Sequence, residues 1–188
     1  VAGFIGNPPM NLLPGTAESA RYCRSGHYGS FLSGGLAGEI YGAAGLWGGD
    51  IEPEAPYKIW DSLTWRSGAE MTYFRDFVWS EGRRFQELAP IADLVEPNRT
   101  HQLQGNVGWA YCARTPQRDL FMVYFEAECP AVRLRGAAYR RLYQARWFDP
   151  RTGQWSEPIA LQASAECEIA LPPKPDEDDW ALKLTWRR

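Results

Sequence analysis

Histidine is nearly missing from this chain: His27 and His101 are the only two among 188 residues. That excludes a metal centre built from several imidazoles, and a Ser-His-Asp triad would have to rest on His27. No serine sits in a G-x-S-x-G elbow. The four cysteines, Cys23, Cys112, Cys129 and Cys167, show no C-x-x-C spacing, which argues against a zinc or dithiol redox motif. They read as buried thiols, with one disulfide among Cys112, Cys129 and Cys167 as the alternative. Gly34-Gly35-Leu36-Ala37-Gly38 meets neither the dinucleotide nor the Walker pattern, and no cofactor is expected. No apolar run approaches the roughly 18 residues that a membrane-spanning helix needs. The opening VAGFIGNPPMNLL lacks a basic n-region and a cleavage site, so it does not read as a signal peptide. A formal charge of −3 carries no nucleic-acid footprint.

What is present is hydrophobic and aromatic material, 45% and 14% of the chain, ample for packed cores. Residues 1–96 carry seven Lys/Arg against twelve Asp/Glu, whereas residues 97–188 carry thirteen against eleven. An acidic first half and an ordinary second half suggest two small domains with a boundary there. In the first, Pro8–Leu13 reads as a short buried strand, Ala20–Leu32 as a helix and Gly38–Gly42 as a very short strand. The glycines of that helix cost propensity, so close packing must compensate. Ser67 and Glu70 form a capping-box pattern opening a helix with Met71, Phe74 and Val78 on one stripe, ending near Gly82 or Leu88.

From about Thr100 the period changes to two. Val107–Ala113, Leu120–Phe125, Tyr143–Phe148, Glu166–Leu171 and Trp180–Trp186 read as strands. Asp149-Pro150-Arg151-Thr152-Gly153 is a turn that pairs Ala145–Phe148 with Gln154–Ser156. Five or more short strands predict an antiparallel β-sandwich around Trp109, Tyr111, Phe121, Val123, Trp147 and Leu182. The arginines from Arg133 to Arg146 read as a solvated surface.

The most specific stretch is Ser33–Trp47, SGGLAGEIYGAAGLW, which runs into the acid- and aromatic-rich loop GGDIEPEAPYKIWDSLTW. A glycine-rich turn, a short strand and a long polar loop suit the last βα unit of a TIM barrel, whose active site lies at the C-terminal strand ends. The order of a glycine-rich helix end, G-x-x-YGA-x-G-x-W, a Trp-containing loop and SGAEM opening a helix resembles the C-terminal part of the apiosidase-like glycoside hydrolases. GWAYCARTPQRDLFMVYF, ARWFDPRTGQW and the closing DDWALKL extend the resemblance through the second half. It implies terminal βα units of a partial barrel over residues 1–96, then a β-sandwich labelled a collagen-binding domain over 97–188. The remainder of the barrel, or another chain, is then expected to cover residues 1–96, and an extracellular or periplasmic location follows if the parent enzyme follows its family.

Glycoside hydrolysis uses two carboxyl groups about the scissile bond. The resemblance places one on an earlier strand and the other after Pro8–Leu13, where relatives read P-V-x-N-x-E-P. Here the run is Pro9-Met10-Asn11-Leu12-Leu13-Pro14, with leucine in place of the glutamate. Glu18 is the nearest carboxylate and one catalytic candidate, its alternative being a helix N-terminal acid. Glu39 is the other. In a strand it shares a face with Tyr41, and Ile40 suits the helix-covered face, so Glu39 and Tyr41 are expected inward at the barrel mouth. A structural ion pair is the competing role. Tyr41, Trp47, Asp50 and Trp60 offer the flat rings and carboxylates of a sugar cleft, while packing is the alternative for Trp60. The expected function is a C-terminal piece of a glycoside hydrolase acting on a polysaccharide. The alternative is a non-catalytic carbohydrate-binding or protein-binding module with a degenerate barrel end.

Overall fold

The computed structural model describes residues 3–5, 13–43, 45–100 and 106–186. Its elements in chain order are β1 (Gly3–Ile5), α1 (Ala17–Leu32), β2 (Glu39–Tyr41), α2 (Ile59–Leu63), α3 (Arg66–Val78) and a 3-10 segment, Trp79–Glu87. Then follow β3 (Ala89–Pro90), β4 (Val95–Glu96), β5 (Ala110–Arg114), β6 (Leu120–Phe125), β7 (Arg133–Arg135) and β8 (Leu142–Asp149). The chain closes with β9 (Gln154–Trp155), β10 (Ile159–Gln162), β11 (Glu168–Ala170) and β12 (Trp180–Thr185).

An antiparallel seven-stranded sheet runs β10-β8-β12-β6-β5-β3, with β9 pairing β8 beyond the Asp149–Gly153 turn. A three-stranded sheet, β11-β7-β4, packs against it. Phe121, Val123, Phe125, Trp147 and Leu182 from the large sheet meet Val95, Leu134 and Ile169 from the small one in a shared core. This is the expected β-sandwich. The other face of the large sheet is also covered. Ala113, Leu120, Met122, Tyr124, Phe148 and Ala181 pack against Tyr28, Phe31 and Leu32 of α1 and Phe74, Phe77 and Val78 of α3. Burial on both faces explains why β6, LFMVYF, is apolar at every position and buried throughout.

Beyond the helices lies a third sheet of two strands. β1 and β2 pair in parallel, Gly3 with Glu39 and Ile5 with Tyr41, and α1 is the crossover between them. Parallel strands require such a crossover, so β1–α1–β2 is a βαβ unit. Among the described residues these two strands close no barrel. The expected strand at Pro8–Leu13 lies outside the described residues except for Leu13.

Several local expectations change. Strand pairing carries the sandwich back to Ala89 and Val95, across the boundary read at residues 96 and 97. The Ser67–Glu70 capping box does not form, because both side chains have stronger partners: Ser67 bonds Tyr41, and Glu70 pairs with Arg24 and Arg66. A side-chain cap does form at Thr16, whose hydroxyl accepts from Ser19 N at 3.2 Å to open α1. Gly29 allows the close packing that α1 needs, since a Cβ there would lie 3.1 Å from Tyr111 Cζ. Tyr111 accordingly packs on the helical side, and of the expected core residues Trp109 is only half-buried. Arg133 and Arg135 are exposed as expected, but they flank buried Leu134 in β7. All four cysteines are free thiols, three of them buried.

Candidate functional site

β2 ends at Tyr41, and the loop after it forms the C-terminal end of the βαβ unit. Asp50 organises that loop: its N–H donates to Gly45 O and its carbonyl accepts from Ile59 N, both at 2.9 Å. Trp65 turns inward over Gly15, where a Cβ would sit 3.2 Å from the indole, and Tyr57 meets it edge-on at 5.5 Å. Trp47 and Trp60 instead face solvent, at 71% and 51% exposure. Glu18 is exposed in the first turn of α1, on the segment that follows β1. The structure thus brings Tyr41, Trp47, Asp50 and Trp60 onto one continuous loop, with Glu18 on the neighbouring connection.

The expected face of β2 is reversed. Ile40 is 55% exposed on the side away from the helices, whereas Glu39 and Tyr41 point into the helical layer. Tyr41 shares a hydrogen bond with Ser67 at 2.9 Å, and Glu39 approaches His27 of α1 with Oε2 3.7 Å from Nδ1. The physical reason is that α1 and α3 offer polar partners, so the helix-covered face is not the purely apolar one the sequence argument assumed. Glu39 also opens β2 and therefore sits at its N-terminal end, not at a barrel mouth. Neither oxygen of Glu39 nor either nitrogen of His27 has a hydrogen-bond partner among the described residues. Each such buried atom costs about 1–3 kcal/mol.

Two further polar clusters join α1 to the sandwich, and sequence reasoning missed both. Arg24 holds Asp179 bidentately at 2.7 Å and Glu70 at 2.8 Å, while Tyr124 donates to Asp179 at 2.8 Å. Burial alone would raise the Asp179 pKa, but the Arg24 guanidinium and the Tyr124 hydroxyl hold it below the ordinary carboxylate range. Nearby, Glu126 accepts from the Ser25 hydroxyl, from Trp109 N at 3.0 Å and from Tyr111 at 3.5 Å. Burial outweighs these donors and pushes Glu126 up to about 7. The available signal was position: Glu126 directly follows the apolar run of β6, and Asp179 directly precedes β12. No group of three or more His, Cys, Asp or Glu suited to a metal occurs among the described residues.

The architecture, a sandwich carrying a helical layer and a parallel strand pair, is shared with solved structures of larger proteins. One, named a glycoside hydrolase, matches with a TM-score of 0.66 at 18% identity, over 88% of this chain and 36% of its own. Another, a glycoside hydrolase family 5 protein of Bacteroides vulgatus ATCC 8482, matches with a TM-score of 0.71 at 17% identity, over 90% of this chain and 37% of its own. The chain therefore spans a little over a third of the length of these structures. Within it, residues 102–185 match the protein family described as "Putative collagen-binding domain of a collagenase". No curated protein matches the sequence.

Proposed function

We propose that this chain is the C-terminal part of an apiosidase-like glycoside hydrolase that cleaves glycosidic bonds in a polysaccharide. In this reading β1, β2 and their helices are the last units of a barrel, and the sandwich braces them from outside. The observation that carries it is the β1–α1–β2–α3 succession with a parallel register, because that alternation is the building unit of such barrels. Exposed Ile40 on the helix-free face supports it, since that face would line the barrel interior.

On this proposal sugar contacts come from Trp47, Asp50 and Trp60 on the loop after β2, with Tyr41 setting the loop's base. Glu18 supplies a carboxylate from the neighbouring connection, and the second comes from an earlier strand. Glu39 is not among them, because it faces the helices. The chain by itself is then inactive, and its partners are the sugar substrate and the rest of the barrel. Reducing-sugar release from a panel of plant and microbial polysaccharides tests the reading. A protein that joins this chain to the preceding barrel units of its reading frame should release sugar, and this chain alone should not. A complete protein silent on every member of the panel would sink it.

A second reading, a non-catalytic binding module, is favoured by one observation: Leu13 stands where the resemblance calls for a carboxylate. Retention of the chain on an insoluble polysaccharide without hydrolysis by the complete protein would support that reading instead.

A further inference from the structure

The arginines between residues 133 and 146 have different partners in the structure. Arg133 and Arg135 pair with Glu96, and Arg133 also with Glu168. Arg146 donates to Ser156 O and lies over Trp155. Arg140 and Arg141 meet no acid among the described residues, and each lies over a ring instead. Arg140 stands 5.3 Å from the Tyr139 centroid and Arg141 4.6 Å from that of Trp186.

Two more arginines reach the same end of the sandwich from β5 and the turn after it. Arg114 donates to Gly136 O and Arg118 to Ala137 O at 3.5 Å, both carbonyls in the loop that carries Tyr139, Arg140 and Arg141. The Arg118 carbonyl in turn accepts from Trp186 Nε1 at 3.0 Å, which ties the two groups of arginines together. Acids on the neighbouring segments do not neutralise them. Asp119 is held by Arg84 and Thr115, Glu168 by Arg133, and Glu166 forms no ion pair among the described residues. Burial, and then the Arg118 charge, hold the Arg114 pKa below the ordinary arginine value, as crowded like charges do.

The backbone adds a second observation. Arg118 and Arg140 adopt φ values of 61° and 49°, in the left-handed region that favours glycine and asparagine. Side chains held there at a cost collect at ligand-binding positions. Here both of these positions carry a guanidinium.

We propose that this end of the sandwich binds a sulfated polysaccharide, with sulfate groups on Arg118, Arg140 and Arg141 and sugar rings against exposed Tyr139 and Leu142. A sulfate ester has three terminal oxygens and can bridge several guanidiniums, whereas a carboxylate is filled by one arginine fork. A guanidinium lying over a ring keeps its N–H donors available at its edge. The net charge of −3 disfavours nucleic acid. The choice of a sugar polymer rests on the glycosidase reading, but the surface belongs to the sandwich and not to the Trp47–Trp60 loop. Binding is therefore measured on this chain and hydrolysis on the complete protein, so either can fail while the other stands.

Fluorescence anisotropy of labelled dextran sulfate, carboxymethyl-dextran, dextran and double-stranded DNA, at about 0.15 M salt and with the anionic polymers matched in charge, tests the proposal. Dextran sulfate should bind saturably, at least about tenfold tighter than carboxymethyl-dextran or DNA, and dextran should not bind. Arg140→Gln combined with Arg141→Gln should weaken binding about tenfold or more while unfolding stays cooperative. Arg118→Gln, on a separate loop, should weaken it independently. Arg75→Gln combined with Arg83→Gln removes the same charge from exposed positions outside the patch and should leave binding nearly unchanged. Three results would each overturn the proposal: no saturable binding of dextran sulfate, binding of carboxymethyl-dextran or DNA at least as tight, or equal losses in the two double variants.

Discussion

Glu126 makes the stability of this protein fall as pH rises through neutrality. Its side chain is fully buried beneath Trp109 and Tyr111, and its pKa lies at about 7 against an ordinary value of 4.5. Between those values the folded chain holds a proton that the unfolded chain has released. Folding stability must therefore decline across that window. A gap of this size is worth at most about 3 kcal/mol, at 1.36 kcal/mol per pKa unit. For a chain of this length that corresponds to a Tm decrease of roughly 6–12 °C. Glu126→Gln keeps one oxygen, which can accept from Ser25 or from Trp109 N but not from both, and it cannot ionise. Thermal unfolding followed by circular dichroism from pH 4.5 to 8 should show the decline in the wild type and a flatter profile in Glu126→Gln. Below the ordinary aspartate value of 3.8 both proteins should lose stability together, because Asp119, Asp176 and Asp179 have lowered pKa values in the fold and the unfolded chain takes up protons first. Parallel Tm profiles for the two proteins above pH 4.5 would refute the assignment.

Arg24→Met should cost about 3–5 kcal/mol in urea unfolding, because it strands Asp179 as a buried acid without a cation and leaves Glu70 to Arg66 alone; a loss below about 1 kcal/mol would mean that the cluster is hydrated. If the proposed glycosidase reading holds, Trp47→Ala in the complete protein should raise KM for polysaccharide about tenfold or more with Tm unchanged, since the ring is exposed at 71%. Cys23 and Cys129 should resist iodoacetamide at pH 8, being pushed up to about 11 and about 12 by burial; rapid loss of either thiol would contradict their packing.

Strands were legible wherever one turn chemistry and one alternation agreed. Leu120–Phe125 falls where its apolar run ends, and the Asp149–Gly153 turn sets the β8–β9 hairpin as read. The short strands β3, β4, β7 and β10 escaped notice because two to four residues carry too little pattern, and Arg133-Leu134-Arg135 reads as surface unless the partners Val95 and Ile169 are known. The site was less legible. Trp47 and Trp60 could be placed on a loop because the loop is continuous in sequence, but the Arg24 cluster joins residues separated by 46 and 155 positions. Local spacing carries no trace of such a contact.

The reversal of β2 has the same origin. The expectation that Glu39 faces a barrel interior assumed helices with one apolar face on a sheet and one polar face in solvent. In this fold α1 lies between two sheets, and its buried residues include Ser19, Arg24, Ser25 and His27 as well as Tyr28, Phe31 and Leu32. The apolar members serve the large sheet of the sandwich, which leaves the polar ones to meet other partners. A strand packed there does not need an apolar face, so Glu39 and Tyr41 are accommodated and Ile40 is left outward. The same geometry couples the layers. Arg24 ties α1 to Asp179 and Glu70 at once, so moving the βαβ unit relative to the sandwich would break a bidentate pair and leave charges buried. The sandwich thereby holds β1 and β2, and the loop that carries Trp47, Asp50 and Trp60, in a fixed position relative to its own core.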